Sequence, residues 1–128
     1  MELYREHILD HFRNPRHRGR LSNPTASYEA WNPLCGDKLI IDVQLYRSGT
    51  SVLLKNVGWE GEGCAISLAV ASILSEEIVG KSVAHVLKLT HADMLGFLKI
   101  SLTPARLKCG TLALEGVKGA LKVHAHQM

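Results

Sequence analysis

Apolar positions near the N-terminus follow the spacing of one helical face. They are Leu3, Ile8, Leu9 and Phe12. Asn14-Pro15 interrupts the pattern, because proline disfavours a helical backbone in the residue before it. The spacing therefore predicts a short helix from Glu2 to Phe12. Residues 16–24 are rich in Arg, Gly, Asn and Pro and have no period, so we expect a mobile loop there.

Three stretches then carry β-branched and aromatic residues, and apolar positions alternate with polar ones in the second. They are Ser27–Trp31, Lys38–Tyr46 and Val52–Trp59. This texture predicts three strands. The connection Arg47-Ser48-Gly49-Thr50 contains a glycine that can adopt a positive φ, and its shortness requires the second and third strands to be antiparallel.

The chain after Gly63 is predicted to be helical. Residues Ala65–Val79 are apolar nearly all round, as in a helix laid across a sheet, and Gly80 is a natural helix end. The piece Ser82–Ile100 indicates two short helices, and Pro104 suits the first turn of a last helix. The order of one helix, three strands and then several helices predicts an α+β fold. We expect residues 124–128 to form a frayed end.

Length and composition predict one globular domain spanning residues 1–128. Hydrophobic residues make up 46% and charged residues 21%, which excludes a disordered or fibrous chain. The longest apolar run is too short for a membrane span, so no membrane partner is expected. The N-terminus lacks the apolar stretch of a secretory signal, and we expect a cytoplasmic protein.

The net charge of +3 is too small to indicate nucleic-acid binding, and the few aromatic residues do not interleave with basic ones. We therefore expect no nucleic-acid partner. Basic residues are nevertheless concentrated near the N-terminus. Arg5, Arg13, Arg16, Arg18 and Arg20 lie there, with His7, His11 and His17 among them. This end is a candidate docking surface, and the alternative is a solvated helix face followed by a basic turn.

Each of the three cysteines lies in a sequence context that suits a reactive or metal-binding thiol. Cys35 occupies a loop between two predicted strands, where Gly36 lets its thiolate converge with the carboxylate of Asp37. Cys64 begins a predicted helix, whose N-terminus lowers the pKa of a thiol. Cys109 follows Arg106 and Lys108, and nearby cations also stabilise a thiolate. The alternative for each cysteine is a small buried hydrophobic residue.

If the three cysteines converge with Asp37, they supply three sulfurs and one oxygen. Zinc or an iron-sulfur cluster accepts four ligands of these types. The cysteines are separated by 29 and 45 residues, spacings that match no zinc-finger pattern, and no phosphate-binding glycine loop is present.

These motifs resemble the U-type iron-sulfur cluster assembly proteins, the group of IscU, SufU and the NifU N-terminal domain. The matching motifs are Leu3-Tyr4-Arg5, Ile8-Leu9-Asp10-His11, Asn14-Pro15-Arg16, Asn32-Pro33-Leu34-Cys35-Gly36-Asp37, Gly61-Glu62-Gly63-Cys64-Ala65-Ile66-Ser67 and Pro104-Ala105-Arg106-Leu107-Lys108-Cys109. The resemblance covers the chain to about Leu121. It implies a SufE/NifU-like fold, in which helices pack on one face of a three-stranded antiparallel sheet.

The resemblance also implies the chemistry of the cysteines. Cys35, Cys64 and Cys109 would hold a transient [2Fe-2S] cluster or a zinc ion, with Asp37 as the fourth ligand or as the residue that keeps the cluster labile. Sulfur would arrive as a persulfide from a cysteine desulfurase, with Cys109 as the first candidate acceptor and Cys64 as the second.

The resemblance leaves two functions open. The first is a scaffold, not an enzyme, that assembles a [2Fe-2S] cluster and passes it to recipient apoproteins. The second is a zinc-dependent sulfurtransferase component of the SufU type. Lys108 stands where the IscU branch has histidine, which favours the second function, whereas the 45-residue spacing from Cys64 to Cys109 is too short for the usual SufU insertion. A third possibility is a structural zinc module without sulfur chemistry.

Overall fold

A computed structural model describes residues 2–33, 36–99, 102, 104 and 107–127. The elements are α1 (Glu2–Arg13), β1 (Ala26–Asn32), β2 (Asp37–Ser48), β3 (Ser51–Glu62), α2 (Ala65–Ile78), α3 (Val83–Leu87), α4 (His91–Leu98) and α5 (Leu107–Gln127). The predicted α+β order is confirmed, including the two short helices before the last one. The expected frayed end is wrong, since α5 continues as a helix to Gln127.

The three strands form an antiparallel sheet in the order β1-β2-β3. Ile41 at its centre pairs with Tyr28 on one side and Trp59 on the other. Gly49 adopts a φ of 63° in the tight β2–β3 turn, as its place in the sequence predicts. Because side chains alternate between the two faces of a strand, Asp37 and Ile41 share one face and Asp42 lies on the other.

Helix α5 lies close against the face that carries Ile41. The approach requires glycine: a Cβ atom at Gly116 would lie 2.7 Å from the Ile41 side chain, and one at Gly119 would lie 2.6 Å from the Tyr28 ring. Helix α2, nearly all apolar, fills the remaining space beside β3 and α5 and completes the buried core. No helix in the described part of the chain is long and apolar enough to cross a membrane.

Residues 16–24 are held against the sheet and are not the mobile loop that their composition predicts. The Trp59 indole N–H donates to the Arg16 carbonyl at 2.9 Å, and the Gly19 N–H donates to the Trp59 carbonyl at 2.6 Å. Leu21 lies over Gly58, where a Cβ atom would come within 3.0 Å of the Leu21 side chain. These backbone contacts anchor the segment along β3.

The arginines of this segment are all neutralised within the chain. The pairs are Arg16 with Asp10 at 2.7 Å, Arg18 with Glu60 at 2.9 Å and Arg20 with Asp42 at 2.7 Å. The guanidinium of Arg18 also lies 5.1 Å from the centre of the Trp59 ring. The positive charge that made this end a candidate docking surface is therefore used largely to fix the segment to the fold.

A buried histidine joins α1 to α2. The Nδ1 atom of His11 lies 2.7 Å from the Ser72 hydroxyl, which also accepts the Arg16 N–H at 2.8 Å. Burial lowers the pKa of His11, as does the nearby charge of Arg16, against the opposing effect of Glu76. His11 is thus a packing residue, a role that its place in the basic N-terminal stretch does not indicate.

Candidate metal centre

Asp37 places a buried carboxylate at one end of the sheet. It is the first residue of β2 and pairs with Asn32, the last residue of β1. Gly36, with a φ of 72°, makes the turn into β2 and donates its N–H to the Asn32 carbonyl at 2.9 Å. The side chain of Asp37 is fully buried. The sharp turn that the sequence predicts at Gly36 therefore delivers the carboxylate to the interior.

Cys64 reaches the same point from the start of α2. It is the N-cap residue of this helix, and its sulfur accepts the Ser67 N–H at 3.5 Å. Its own N–H donates to Asp37 Oδ1 at 2.9 Å. The preceding residue has to be glycine, because a Cβ atom at Gly63 would lie 2.5 Å from the same oxygen.

Cys109, in the first turns of α5, completes the group. Its side chain is fully buried, and its thiol donates to Asp37 Oδ2 at 3.2 Å, while the Cys64 sulfur lies 3.8 Å from that oxygen. One ligand atom from each of these three residues lies within 4.8 Å of the other two. Residues 27 and 72 positions from Asp37 are therefore brought to one point by three different elements.

Ser67 is a site residue to which the sequence assigns no role. Its hydroxyl donates to Asp37 Oδ2 at 2.6 Å and lies 3.6 Å from the Cys64 sulfur. Its position three residues after the N-cap is the available signal, since side chains there face the helix start. Ser67 fixes the carboxylate and the thiol relative to one another.

The donors around Asp37 keep it ionised. Burial raises the pKa of Asp37, but the hydrogen bonds from Ser67, the Cys64 N–H and the two thiols outweigh this effect and hold the pKa below its usual value. None of these donors is a cation. Within the residues that the structure describes, no lysine, arginine or histidine forms an ion pair with Asp37.

The two thiols differ in their surroundings. Burial raises the pKa of Cys64, but the hydrogen bonds from Ser67 reverse this effect and leave the pKa lowered. Burial and the Asp37 carboxylate raise the pKa of Cys109 to about 12. The sequence predicts a thiolate at Cys109 from its cationic neighbours. This prediction is wrong about Lys108, because its Nζ atom forms an ion pair with Glu115 at 2.6 Å.

Two of the predicted site features lie outside the described residues. They are Cys35 and the cation Arg106. Strands β1 and β2, which flank Leu34-Cys35 in the sequence, meet at the site end of the sheet, where Asn32 pairs with Asp37. The described part of the site therefore offers two sulfurs and one oxygen. This set suits a metal such as zinc or iron that accepts both thiolate and carboxylate ligands.

The chain is similar to known proteins over most of its length. The profile of the family described as "NifU-like N terminal domain" matches residues 3–128. The chain is 34% identical to the zinc-dependent sulfurtransferase SufU of Bacillus subtilis, over 94% of this chain and 90% of that protein. It is 33% identical to the iron-sulfur cluster assembly scaffold protein IscU of Aquifex aeolicus, over 93% of this chain and 74% of that protein.

Solved structures share the fold. A crystal structure titled as a putative iron-sulfur cluster assembly scaffold protein for the SUF system, from Fervidobacterium islandicum, matches with a TM-score of 0.72 and 27% identity. The match covers 91% of this chain and 94% of that one. A NifU-like N-terminal protein from Brucella abortus matches with a TM-score of 0.75 at 19% identity, covering 99% of this chain and 97% of that one.

Proposed function

Since the chain belongs to the NifU-like N-terminal domain family, we propose that it is a scaffold for iron-sulfur cluster assembly. It accepts sulfur from a cysteine desulfurase, assembles a transient [2Fe-2S] cluster and passes this cluster to recipient apoproteins. Because the thiols must stay reduced, we place this activity in the cytoplasm. The proposed scaffold is the single domain 1–128.

The observation that carries this proposal is a buried carboxylate surrounded by thiols. Asp37, Cys64 and Cys109 present their ligand atoms within 4.8 Å of one another. Neutral donors hold this carboxylate ionised in the interior, and an ionised carboxylate beside two thiols is a ready ligand for a metal cation. With Cys35 as the third thiol, this set supplies the four ligands that an iron-sulfur unit or a zinc ion requires.

One hard ligand among soft ones suits temporary binding. A carboxylate binds iron-sulfur units less well than a thiolate does, so a site with three cysteines and Asp37 releases its cluster more readily than a site with four cysteines. Ser67 and the Cys64 N–H hold the carboxylate in place at 2.6 and 2.9 Å. These two donors compete with metal for the carboxylate oxygens, which also favours release.

Sulfur transfer requires a thiolate on this chain. The thiolate attacks the terminal sulfur of the desulfurase persulfide. A new S–S bond forms on the acceptor while the old one breaks, and the desulfurase cysteine leaves as a thiolate. From the sequence, Cys109 is the first candidate acceptor and Cys64 the second. The structure supports the reverse order in the metal-free chain, because Cys64 is partly exposed whereas Cys109 is buried.

The second candidate function is that of a zinc-dependent sulfurtransferase component, which would make the chain part of an enzyme system. It is favoured by the 34% identity to SufU and by Lys108, which is paired with Glu115 and occupies the position of a histidine in the IscU branch. Zinc bound by the same four residues would hold the thiolates until the desulfurase docks. The two functions therefore use the same four ligands. They differ in whether these ligands bind a cluster that is passed on or a zinc ion.

Anaerobic reconstitution with iron, cysteine and a desulfurase separates the two functions. We expect near-stoichiometric iron and a sulfide-to-iron charge-transfer spectrum, both lost in Cys64→Ser and Cys109→Ser. Tightly held zinc, no cluster and faster desulfurase turnover would instead establish the second function. Asp37→Ala should lengthen the lifetime of the cluster in a transfer assay, and Asp42→Asn, which alters a buried carboxylate outside the site, is the matched control.

Mass spectrometry identifies the sulfur acceptor. The chain is incubated with desulfurase and cysteine, and the mass gain of one sulfur is mapped in the wild type, in Cys64→Ser and in Cys109→Ser. Loss of the persulfide in Cys109→Ser with an intact fold would support the order predicted from the sequence. Loss in Cys64→Ser with retention in Cys109→Ser would support the order favoured by exposure.

A further inference from the structure

The end of the sheet far from Asp37 carries positive charge that the described residues do not neutralise. Residues 43–59 and 78–92 contain no aspartate or glutamate. They contain Arg47, Lys55, Lys81 and Lys88, all of them exposed. Among the residues with described positions, none of these four cations forms an ion pair. By contrast, every arginine of residues 16–20 has an acidic partner.

Two apolar cavities open beside Lys55 and Lys81, whereas Lys88 lines a separate cavity that also contains Asp93. The first, of about 360 Å³, is lined by Tyr46, Leu54, Lys55, Val79 and Gly80. The second has a similar volume of about 360 Å³, and Val52, Val83 and Leu87 form its apolar walls. Tyr46 is 43% exposed and Leu87 is 39% exposed, so both cavities are open to a partner. Each has room for a few side chains but not for a folded domain.

A short backbone pairing fixes the two cavities side by side. The Leu54 N–H donates to the Lys81 carbonyl at 2.9 Å, and the Gly80 N–H donates to the Leu54 carbonyl at 2.8 Å. Lys81 follows Gly80 of the first cavity and precedes Ser82 of the second. A cation therefore stands between two apolar cavities, on backbone that is hydrogen-bonded to β3.

We propose that this distal surface, made of Arg47, Lys55, Lys81 and the two cavities, docks an acidic segment of a partner protein whose apolar side chains enter the cavities. Uncompensated positive charge selects an acidic partner and speeds its association. Two separate concave apolar cavities select side chains. A nucleic acid has no aliphatic side chains to fill them, and a membrane surface binds protruding apolar residues in preference to recessed ones.

The distal surface is independent of the metal centre. Strand β2 runs from Asp37 to Ser48, and 12 residues of strand span roughly 40 Å at about 3.3 Å per residue. A partner docked at the distal surface therefore leaves the Asp37 end open. This inference does not depend on the function proposed for the metal centre, and its test uses neither metal nor sulfur.

Selection from a random library of displayed twelve-residue peptides, carried out on the full chain, tests the proposal. Enriched peptides are synthesised, and their Kd is measured by fluorescence anisotropy at low and at physiological salt. The first variant is Lys55→Glu/Lys81→Glu. The matched control is Lys99→Glu/Lys122→Glu, which makes the same change in net charge at exposed positions on other elements. A twelve-residue oligonucleotide and vesicles containing anionic lipid are tested in parallel.

We expect the enriched peptides to combine acidic with apolar residues and to bind more weakly as salt rises. Their Kd should increase at least about tenfold in Lys55→Glu/Lys81→Glu and less than about twofold in the control. Leu87→Ser, which changes a cavity wall without changing charge, should weaken binding severalfold. The proposal is overturned if no acidic peptide is enriched, if both double variants lose affinity equally, or if the oligonucleotide or the vesicles bind more tightly than the peptides.

Discussion

Strand β2 carries two buried aspartates that have opposite kinds of partner. Asp42 receives two hydrogen bonds from the Arg20 guanidinium, at 2.7 and 3.0 Å, and further ones from the Leu21 N–H and the Ser27 hydroxyl. Asp37, five positions earlier and on the other face of the sheet, receives its hydrogen bonds from a hydroxyl, an amide and two thiols. Both side chains are fully buried.

The difference separates a charge that holds the fold together from the charge of the proposed metal ligand. Asp42 and Arg20 neutralise each other and fasten residues 16–24 to the sheet, so that site is complete without a ligand. Asp37 has a full set of donors but no cation among the described residues. Thiols beside such a carboxylate become better metal ligands when they lose their protons, and a bound cation makes that loss favourable. The absence of a cationic partner among the described residues, more than burial, distinguishes the carboxylate proposed as a metal ligand.

The largest change in the free energy of unfolding is expected when the charge of Asp42 is removed. Asp42→Ala should lower the free energy of unfolding by about 2–4 kcal/mol, because Arg20, Ser27 and Leu21 lose their acceptor together. Urea unfolding followed by circular dichroism measures this change. The control is Glu29→Ala on the same face, which removes the exposed pair with Lys38 and should cost less than about 0.5 kcal/mol. An equal loss of unfolding free energy in the two variants would contradict the structural role of Asp42.

Metal should stabilise the fold through Asp37 and not through Asp42. At a free zinc concentration of 100 Kd, the wild type should gain about 2.7 kcal/mol in unfolding free energy. The gain should be retained by Asp42→Asn and reduced in Asp37→Ala and Cys109→Ser at the same zinc concentration. Urea unfolding with and without zinc measures it. A full gain in Asp37→Ala would mean that the carboxylate is not a ligand.

Low pH should lower the free energy of unfolding, partly because Asp42 becomes protonated. Burial raises the pKa of Asp42, but Arg20, Ser27 and the Leu21 N–H outweigh it and lower the pKa. The resulting stabilisation is present above the unfolded pKa of about 3.9 and is lost as the pH falls through the lower folded value. Asp42→Asn should therefore flatten the acid side of the stability curve, by up to about 1.4 kcal/mol per pH unit.

The exposed Asp10 provides the control for this pH dependence. Its pKa is lowered mainly by the hydrogen bond from Arg16, but the side chain is half-exposed, so Asp10→Asn should leave the acid side of the curve nearly unchanged. Free energies of unfolding measured from pH 7 to pH 3 compare the two variants. A steeper curve in Asp42→Asn would contradict the assigned sign.

Removing the charge of Asp37 should cost little in the metal-free chain. We expect Asp37→Asn to change the free energy of unfolding by less than about 1 kcal/mol in either direction. The reason is that the amide oxygen of asparagine still accepts a hydrogen bond, and no described cation loses its partner, as Arg20 does when Asp42 is replaced. Urea unfolding in the presence of a chelator measures this. A loss above about 2 kcal/mol would show that Asp37 is structural, as Asp42 is.

The smallest expected effect concerns the lysine beside Cys109. Lys108→Gln breaks an exposed pair with Glu115, which should change the free energy of unfolding by less than about 0.5 kcal/mol. Zinc affinity should stay within about twofold of the wild type, because Lys108 pairs with Glu115 and not with Asp37. A tenfold change in zinc Kd, measured by competition with a chromophoric chelator, would contradict this assignment.

Local patterns in the sequence were sufficient for the elements and their order. The strand predicted at Ser27–Trp31 is Ala26–Asn32, and the helix predicted at Ala65–Val79 is Ala65–Ile78. The glycines at 36 and 63 indicate backbone turns next to Asp37 and Cys64, so the sequence could also place these two side chains at element ends.

Contacts between distant residues were beyond the reach of local patterns. The prediction of a mobile loop at 16–24 failed because its order comes from hydrogen bonds to Trp59, more than 35 positions later. The predicted thiolate at Cys109 relied on Lys108, and the sequence does not show that helix geometry turns this cation towards Glu115. Ser67 escaped notice for a similar reason, since its partner Asp37 lies 30 positions away.

The two tryptophans of this chain provide separate optical reporters. Trp59 is fully buried with its indole N–H bonded to Arg16, so its fluorescence follows the attachment of residues 16–24 to the sheet. Trp31 is 62% exposed and pairs with Lys38, next to Asp37. Its emission and its quenching by iodide respond to whatever covers that end of the sheet. Covering of that end of the sheet and loosening of the fold can therefore be followed separately and without a label, in two single-tryptophan variants.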